Sequence, residues 1–380
     1  MRTACGYPLL EALSKVADFR KSRGRRHALV GILALGCVAA LCGASSLAAV
    51  SQWGRDHCPK VLAKLGLSHF PGPSPATLCR VLSQVDVVAL ERVLSEWWQA
   101  WLPALGPLAL DGKTARGSRR GSQEAQQLLA AFAVQVRVVL AQRAIDHSDE
   151  IGTALALLEG LDLEGWIVTG DAKLTQKALV NKIIAQGGDY VLIVKDNQPT
   201  LREDIATLFS EPKVVAETIT STRRTELHGS RIEVRTLQAS SALSAEYCGW
   251  TGLQQVFRVE RHRIDKRTRT RTVTVGFGIT SLAPTRADAQ RLATILRGHW
   301  AIENRLHWIR DVDFGEDASR IHTGKTPQAM AIFRNTAIGF LGILGYDSPI
   351  EGLRHFAWHS ADAVKLVVQR PKLSAWAKMK

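Results

Sequence analysis

RGHWAIENRLHWIRDVDFGEDASR, residues 297–320, decides how the rest of the chain is read. Ile302, Leu306 and Ile309, preceded by Ile295, recur at helical spacing. That predicts a helix over 285–308, followed by an acidic turn. Glu303, His307 and Arg310 stand at i, i+4 and i+7, so one stripe of the helix would carry a carboxylate, an imidazole and a guanidinium. A solvated face with an internal salt link would account for this trio alone. Two further carboxylates shift the reading. Asp111 in PLALDGKTARGS and Asp171 in EGWIVTGDAKLTQ each close a short apolar run that reads as a strand.

The chain has 380 residues, long for one domain, and its 46% hydrophobic content suffices for a normal core. Its 49 Lys and Arg against 35 Asp and Glu leave a formal charge of +14. An excess of that size favours a polyanionic partner, nucleic acid or an acidic membrane surface. The 6 cysteines include no Cys-x-x-Cys pair and no zinc-like histidine spacing. Cys5, Cys37, Cys42, Cys58 and Cys79 cluster early among apolar neighbours, as reduced core thiols of a cytosolic protein do. Residues 28–50 carry no charge, and their length permits a membrane span. Their Ala, Gly, Ser and Cys content, and a break at Gly43-Ala44-Ser45-Ser46, instead predict two buried helices, 27–42 and 46–55, and no membrane.

Residues 1–102 read as all-helical. Asp86 caps the last helix, whose stripe is Leu90, Leu94, Trp97 and Trp101. That spacing makes the tryptophans core rather than a base-stacking platform. Arg25, Arg26 and His27 at the front suggest DNA contact. After a change in composition at 103–106 the order is strand, hairpin, helix, strand, helix, strand, helix through 212. This is an α/β mixed sheet with helical crossovers. Asp111 and Asp171 then stand at C-terminal strand ends, where such sheets place ligands. Gly112-Lys113-Thr114 is no phosphate loop, because its upstream glycine is misplaced. Residues 213–284 form a β-rich insertion. There Arg267, Arg269 and Arg271 alternate with threonines, which would put three guanidiniums on one strand face for phosphate contact. Residues 285–350 return to helix, and 351–380 read as a basic tail.

Three carboxylates with this charge excess suit phosphodiester chemistry. Two Mg²⁺ ions, hard and oxygen-seeking, can clamp the attacking and departing oxygens of an in-line displacement. Asp111, Asp171 and Glu303 could supply the ligands. Lys113, Lys195, His307 and Arg310 are candidates for phosphate contact or leaving-group stabilisation, and Arg116 lies in a basic Gly/Ser-rich loop. Each Asp also has a structural reading, since Asp171 could simply cap the helix after it. Asp311, Asp313, Glu316 and Asp317 are rival ligands by proximity. A glycosidase carboxylate pair fits the basic charge poorly.

At these residues the chain resembles the H-repeat-associated DDE transposases of bacterial insertion sequences. The resemblance runs from LALGCVAALCGA through ALDGKTARGS, GWIVTGDA and GGDYVLIVKDNQPTL to RGHWAIENRLHW and the Asp-Val, Glu-Asp and Ser-Arg pairs beyond it. It implies an RNase H-like core with a β insertion before the last acid. Asp111, Asp171 and Glu303 fall on its DDE positions. It implies Mg²⁺-dependent cleavage at element ends and joining of 3′-hydroxyls to target, with Mn²⁺ able to substitute. The implied partner is double-stranded DNA, bound by a homodimer in the cytoplasm at the nucleoid. The Tyr-Arg-Glu-Lys signature of related transposases would fall on Leu296, His299, Glu303 and Arg310. Only the Glu is literal, with Arg310 preserving charge and Arg297 standing beside His299. A derived DNA-binding protein without chemistry is the alternative.

Overall fold

The computed structural model describes residues 6–102, 106–119, 121, 124–146, 149–210 and 217–370; Cys5 and the tail past 370 lie outside them. Six helices open the chain: α1 (Leu9–Ser14), α2 (Leu29–Leu41), α3 (Leu47–Asp56), α4 (Pro59–Lys64), α5 (Pro75–Leu82) and α6 (Val87–Trp101). Ser46, Ser74 and Asp86 cap α3, α5 and α6 by accepting the backbone N–H of Ala49, Thr77 and Ala89. Every residue of α2 except Val30 is buried. Its uncharged stretch is therefore a core helix without a lipid face, packed by α1, α3 and two later helices, α12 (Thr326–Ile343) and α14 (Ser360–Val368). Gly36 lets the Phe333 ring of α12 press directly on the α2 backbone.

Nine strands form one sheet: β1 (Gly106–Ala115), β2 (Gln126–Ala133), β3 (Val138–Ala144), β4 (Trp166–Gly170), β5 (Asp189–Val194), β6 (Ile219–His228), β7 (Arg231–Ser240), β8 (Gln255–Asp265) and β9 (Arg271–Thr280). Their order is β3-β2-β1-β4-β5-β9-β8-β7-β6, with β1, β4 and β5 parallel to one another and the remaining pairings antiparallel. Helices α7 (Glu150–Glu159) and α8 (Lys177–Ala185) make the crossovers, and α9 (Pro199–Ser210) follows β5. The expected fold class, a helical N-terminal region before an α/β mixed sheet, is the one observed.

The β-rich stretch is not set apart from this sheet, because β9 pairs with β5 and carries β8, β7 and β6 outward. Helix α11 (Ala289–His299), which follows the short α10 (Ala245–Cys248), touches β1, β4 and β5 and also β6 and β7. A helix of that length spans about 16 Å, while strands six places apart in a flat sheet would lie about 29 Å apart. The sheet therefore curls around α11. Leu292 and Ile295 pack there on Ile167, Val191, Leu237 and Phe257.

Several sequence expectations are corrected. The helix expected over 285–308 is α11, a turn at Trp300, and two π-helical segments, Glu303–His307 and Ile309–Asp313. Residues 351–368 are not a tail but α13 (Pro349–Trp358) and α14, which bury Leu353, Phe356, Ala363, Val364 and Val367. Arg267, Arg269 and Arg271 do not share a strand face. Asp265 accepts the N–H groups of Arg267 and Thr268 and closes a tight turn; Arg269 is left-handed at φ 56°, and only Arg271 lies in β9. The N-terminal helices share one continuous core with α12, α14 and the sheet. Trp97, Trp98 and Trp101 belong to that core. Arg25 donates to the carbonyls of Arg20 and Asp18, and His27 is buried, so these residues brace the segment before α2.

Candidate metal centre and nucleic-acid face

Asp111 is not at a strand end as expected but within β1, which pairs on with β2 as far as Ala115; it stands two residues past Ala109, which pairs with Thr169 of β4. Asp171 is likewise two residues past Thr169. The parallel register therefore brings both acids to neighbouring positions on one face of the sheet, the face that α11 covers. Thr169 also meets His299 at the end of α11, Oγ1 to Nδ1 3.0 Å. The chain beyond α11 is anchored by Ile302, Leu306 and Ile309, all buried. This anchoring leaves Glu303 half-exposed and turns His307 inward.

His307 Nδ1 lies 3.5 Å from Asp111 Oδ2 and 3.4 Å from Glu303 Oε2. Single donor atoms of Asp111, Glu303 and His307 all lie within 4.8 Å of one another. Burial raises the Asp111 pKa to about 7, helped by the charges of Glu303, Asp171 and Glu150. Burial likewise depresses His307 to about 3, with Arg310 and Lys113 adding repulsion. The imidazole is thus neutral. Asp171 is held differently: its Oδ1 accepts the N–H groups of Lys173 and Leu174 at 3.0 and 3.3 Å, capping a 3-10 turn (Ala172–Leu174). Its charge still reaches Asp111, Glu150 and His299. The structure therefore brings Asp111 and Glu303 to shared-ligand distance, with Asp171 on the adjacent strand end.

Three of the four rival acids are already engaged; the fourth, Asp313, has a buried Oδ2 with no hydrogen-bond partner among the described residues. Glu316 is buried and takes two bonds from Arg310, at 2.8 and 2.5 Å, and one from Arg334 at 3.0 Å. Asp311 takes Lys113 Nζ at 2.6 Å, and Asp317 lies 3.9 Å from Arg116 Nε. Two phosphate-contact expectations are thereby corrected. Arg310 is fully buried, because the i→i+5 pitch of the π segments widens the turn and carries position i+7 off the face of Glu303. Lys113 is buried and spent on Asp311. His307 faces the acids rather than solvent. Lys195, just past the end of β5, and Arg116 are exposed. Arg297 pairs with Glu226 of β6.

That last pair marks a basic surface that the sequence reading passed over. Cross-strand register aligns Arg224, Arg235 and Arg261 across β6, β7 and β8 on the face covered by α11, with Arg263 one step along. Glu226 collects Arg224, Arg235 and Arg297, and Glu233 collects Arg235, Arg261 and Arg263, so cations remain in excess. Arg261 lies 5.6 Å over the exposed Trp300 ring, three residues before Glu303. The alternation in RIEVR and VERHR carried this signal.

Comparison with known proteins agrees with the resemblance. The family described as DDE_Tnp_1-associated matches residues 10–98, and the Transposase DDE domain matches residues 105–340. "Putative transposase YncI" of Escherichia coli O157:H7 is 31% identical over 343 residues, 88% of this chain and 87% of its own. "H repeat-associated putative transposase YhhI" of Escherichia coli K12 is 30% identical over 346 residues, 88% of this chain and 90% of its own. Among solved structures, a piggyBac transposase synaptic complex with hairpin DNA aligns over 97% of this chain and 79% of that one, at 10% identity and a TM-score of 0.39. With a domain match over more than half its length and relatives of this kind spanning nearly all of it, the chain belongs to the DDE transposases, of the H-repeat-associated type.

Proposed function

We propose that this chain cuts DNA at the ends of its insertion sequence and joins the resulting 3′-hydroxyls to target DNA, using Asp111, Asp171 and Glu303 on an RNase H-like core. The observation that carries this reading is the convergence of Asp111 and Glu303, with Asp171 on the neighbouring strand end. The donor set fits a divalent cation. It is rich in hard carboxylate oxygens and half-buried, and burial, with the neighbouring charge of Glu303, lifts Asp111 to about 7. Mg²⁺, or Mn²⁺ in its place, would supply Lewis acidity toward phosphate oxygens, two ions being the expected number. The protein side chains do the rest. Asp111 and Glu303 hold the site against the π-helical turn. Asp171 fixes the strand end through its cap. Lys113 and Arg310 neutralise Asp311 and Glu316, so the site's negative charge stays concentrated on the three acids.

The DNA follows the α11 face of the sheet, where Arg224, Arg235, Arg261, Arg263 and Arg297 line a path to Trp300 and Glu303. Lys195, just past β5, and Arg116, past the far end of β1, are further contacts, and the Arg267, Arg269 and Arg271 tip reaches backbone farther out. Two copies would pair on the two ends. The test is strand cleavage on native ends by Asp111→Asn. Binding should persist while Mg²⁺-dependent breaks vanish. Undiminished cleavage would refute the assignment of Asp111. Binding without breaks by the unaltered chain would favour a derived DNA-binding protein.

A further inference from the structure

We propose that His307 is a nitrogen ligand of the divalent cation held by Asp111 and Glu303, and that it biases this position toward Mn²⁺ over Mg²⁺. The inference rests on the cation-site reading above and adds one ligand to it. His307 is 5% exposed, and its Nδ1 is aimed between two carboxylate oxygens. The separations, 3.5 and 3.4 Å, are long for charge-assisted hydrogen bonds, which run about 2.7–2.9 Å. They suit neighbouring ligands of one ion: adjacent donors of an octahedron with bonds of about 2.1 Å lie about 3 Å apart. Among the described residues the ring's other nitrogen, Nε2, is buried without a hydrogen-bond partner, so no second bond there explains the ring's orientation. Leu306 and Ile309 on either side pin the backbone that carries the ring. Mg²⁺ is hard and gains little from an imidazole nitrogen, whereas transition ions accept one readily. An oxygen-only site would show a weaker preference.

The experiment uses the full chain loaded with Mn²⁺ alone and read by electron spin-echo modulation. Nitrogen coupling to Mn²⁺ is expected in the unaltered protein. It should convert to the ¹⁵N pattern when the protein is grown with ¹⁵N-histidine, a comparison that needs no folded variant. Asp111→Asn should abolish it, which excludes ions on surface histidines. His307→Gln should abolish it too, weaken Mn²⁺ binding about tenfold or more, and lower the Mn²⁺ over Mg²⁺ preference. Mn²⁺ bound in an Asp111-dependent way with no histidine coupling would overturn the His307 assignment and leave the carboxylate site standing. No Asp111-dependent Mn²⁺ binding at all would overturn both.

Discussion

Arg310 and Glu316 form a two-point ion pair beneath the acidic cluster, Nε to Oε2 2.8 Å and Nη2 to Oε1 2.5 Å. Arg334 adds a third bond to the same carboxylate and donates onward to the Ser45 carbonyl at 3.1 Å. Three regions distant in sequence are tied there: the α2–α3 turn, the π-helical turn and α12. Glu316→Gln leaves two buried guanidiniums short of a counter-charge and should cost about 3–5 kcal/mol of stability. Arg116→Gln, on an exposed side chain 3.9 Å from Asp317, should cost less than about 1 kcal/mol. Urea denaturation of both variants checks the contrast.

Glu91 of α6 is buried and accepts from Gln328 at 2.9 Å and Gln142 at 3.3 Å. Burial lifts its pKa from 4.5 to about 7, despite those bonds. The folded chain then holds this proton more tightly than the unfolded chain does. Its contribution is full below pH 4.5, falls as pH rises, and is gone above about 7. The loss is on the order of 3 kcal/mol. Glu91→Gln should therefore gain on the unaltered protein between pH 5 and pH 8, measured by denaturation at both.

The arginine row on the α11 face should set the salt dependence of DNA binding. Arg224→Gln with Arg263→Gln removes two of its more exposed members and should lower the slope of log affinity against log salt by about 2. Arg223→Gln with Arg258→Gln removes equal charge from the opposite face and should leave the slope nearly unchanged. Fluorescence anisotropy on duplex DNA at several salt concentrations distinguishes them.

Gly36 has Phe333 where a Cβ would stand. Gly36→Ala should cost about 1–3 kcal/mol through overpacking of the α2–α12 contact. Gly24→Ala, with only the Arg20 Cβ near at 3.8 Å, should be close to neutral. Thermal unfolding of the two variants is the check.

The elements most visible in the sequence were those with strong local signals. Ser46 and Asp86 announced their helices, and the apolar runs before Asp111 and Asp171 marked their strands, although β1 continues past Asp111 to Ala115 and only β4 stops just before its acid. The misjudged positions depend on geometry that residue spacing does not encode. Helical spacing put Arg310 beside Glu303, but the π segments rotated it into the core. Period two put Arg267 and Arg269 on a strand, but Asp265 bent them into a turn. The pairing of Lys113 with Asp311, 198 residues apart, follows only from the packing of α11's extension on β1. The Arg224–Arg235–Arg261 row needs the register of three strands before it exists.

Asp171 offers the most direct test of the shared-acid site, because one substitution separates the cap its side chain makes from the catalytic role proposed for it. Asp171→Asn retains an oxygen able to accept from Lys173 and Leu174, so the cap survives while the charge is lost. Single-turnover cleavage of native ends in Mg²⁺ should fall roughly a thousandfold, the several kcal/mol that cation chemistry supplies, with the melting temperature and end binding unchanged. Cleavage at the unaltered rate by a folded Asp171→Asn protein would show that Asp171 is a turn cap alone, and would contradict the three-acid account.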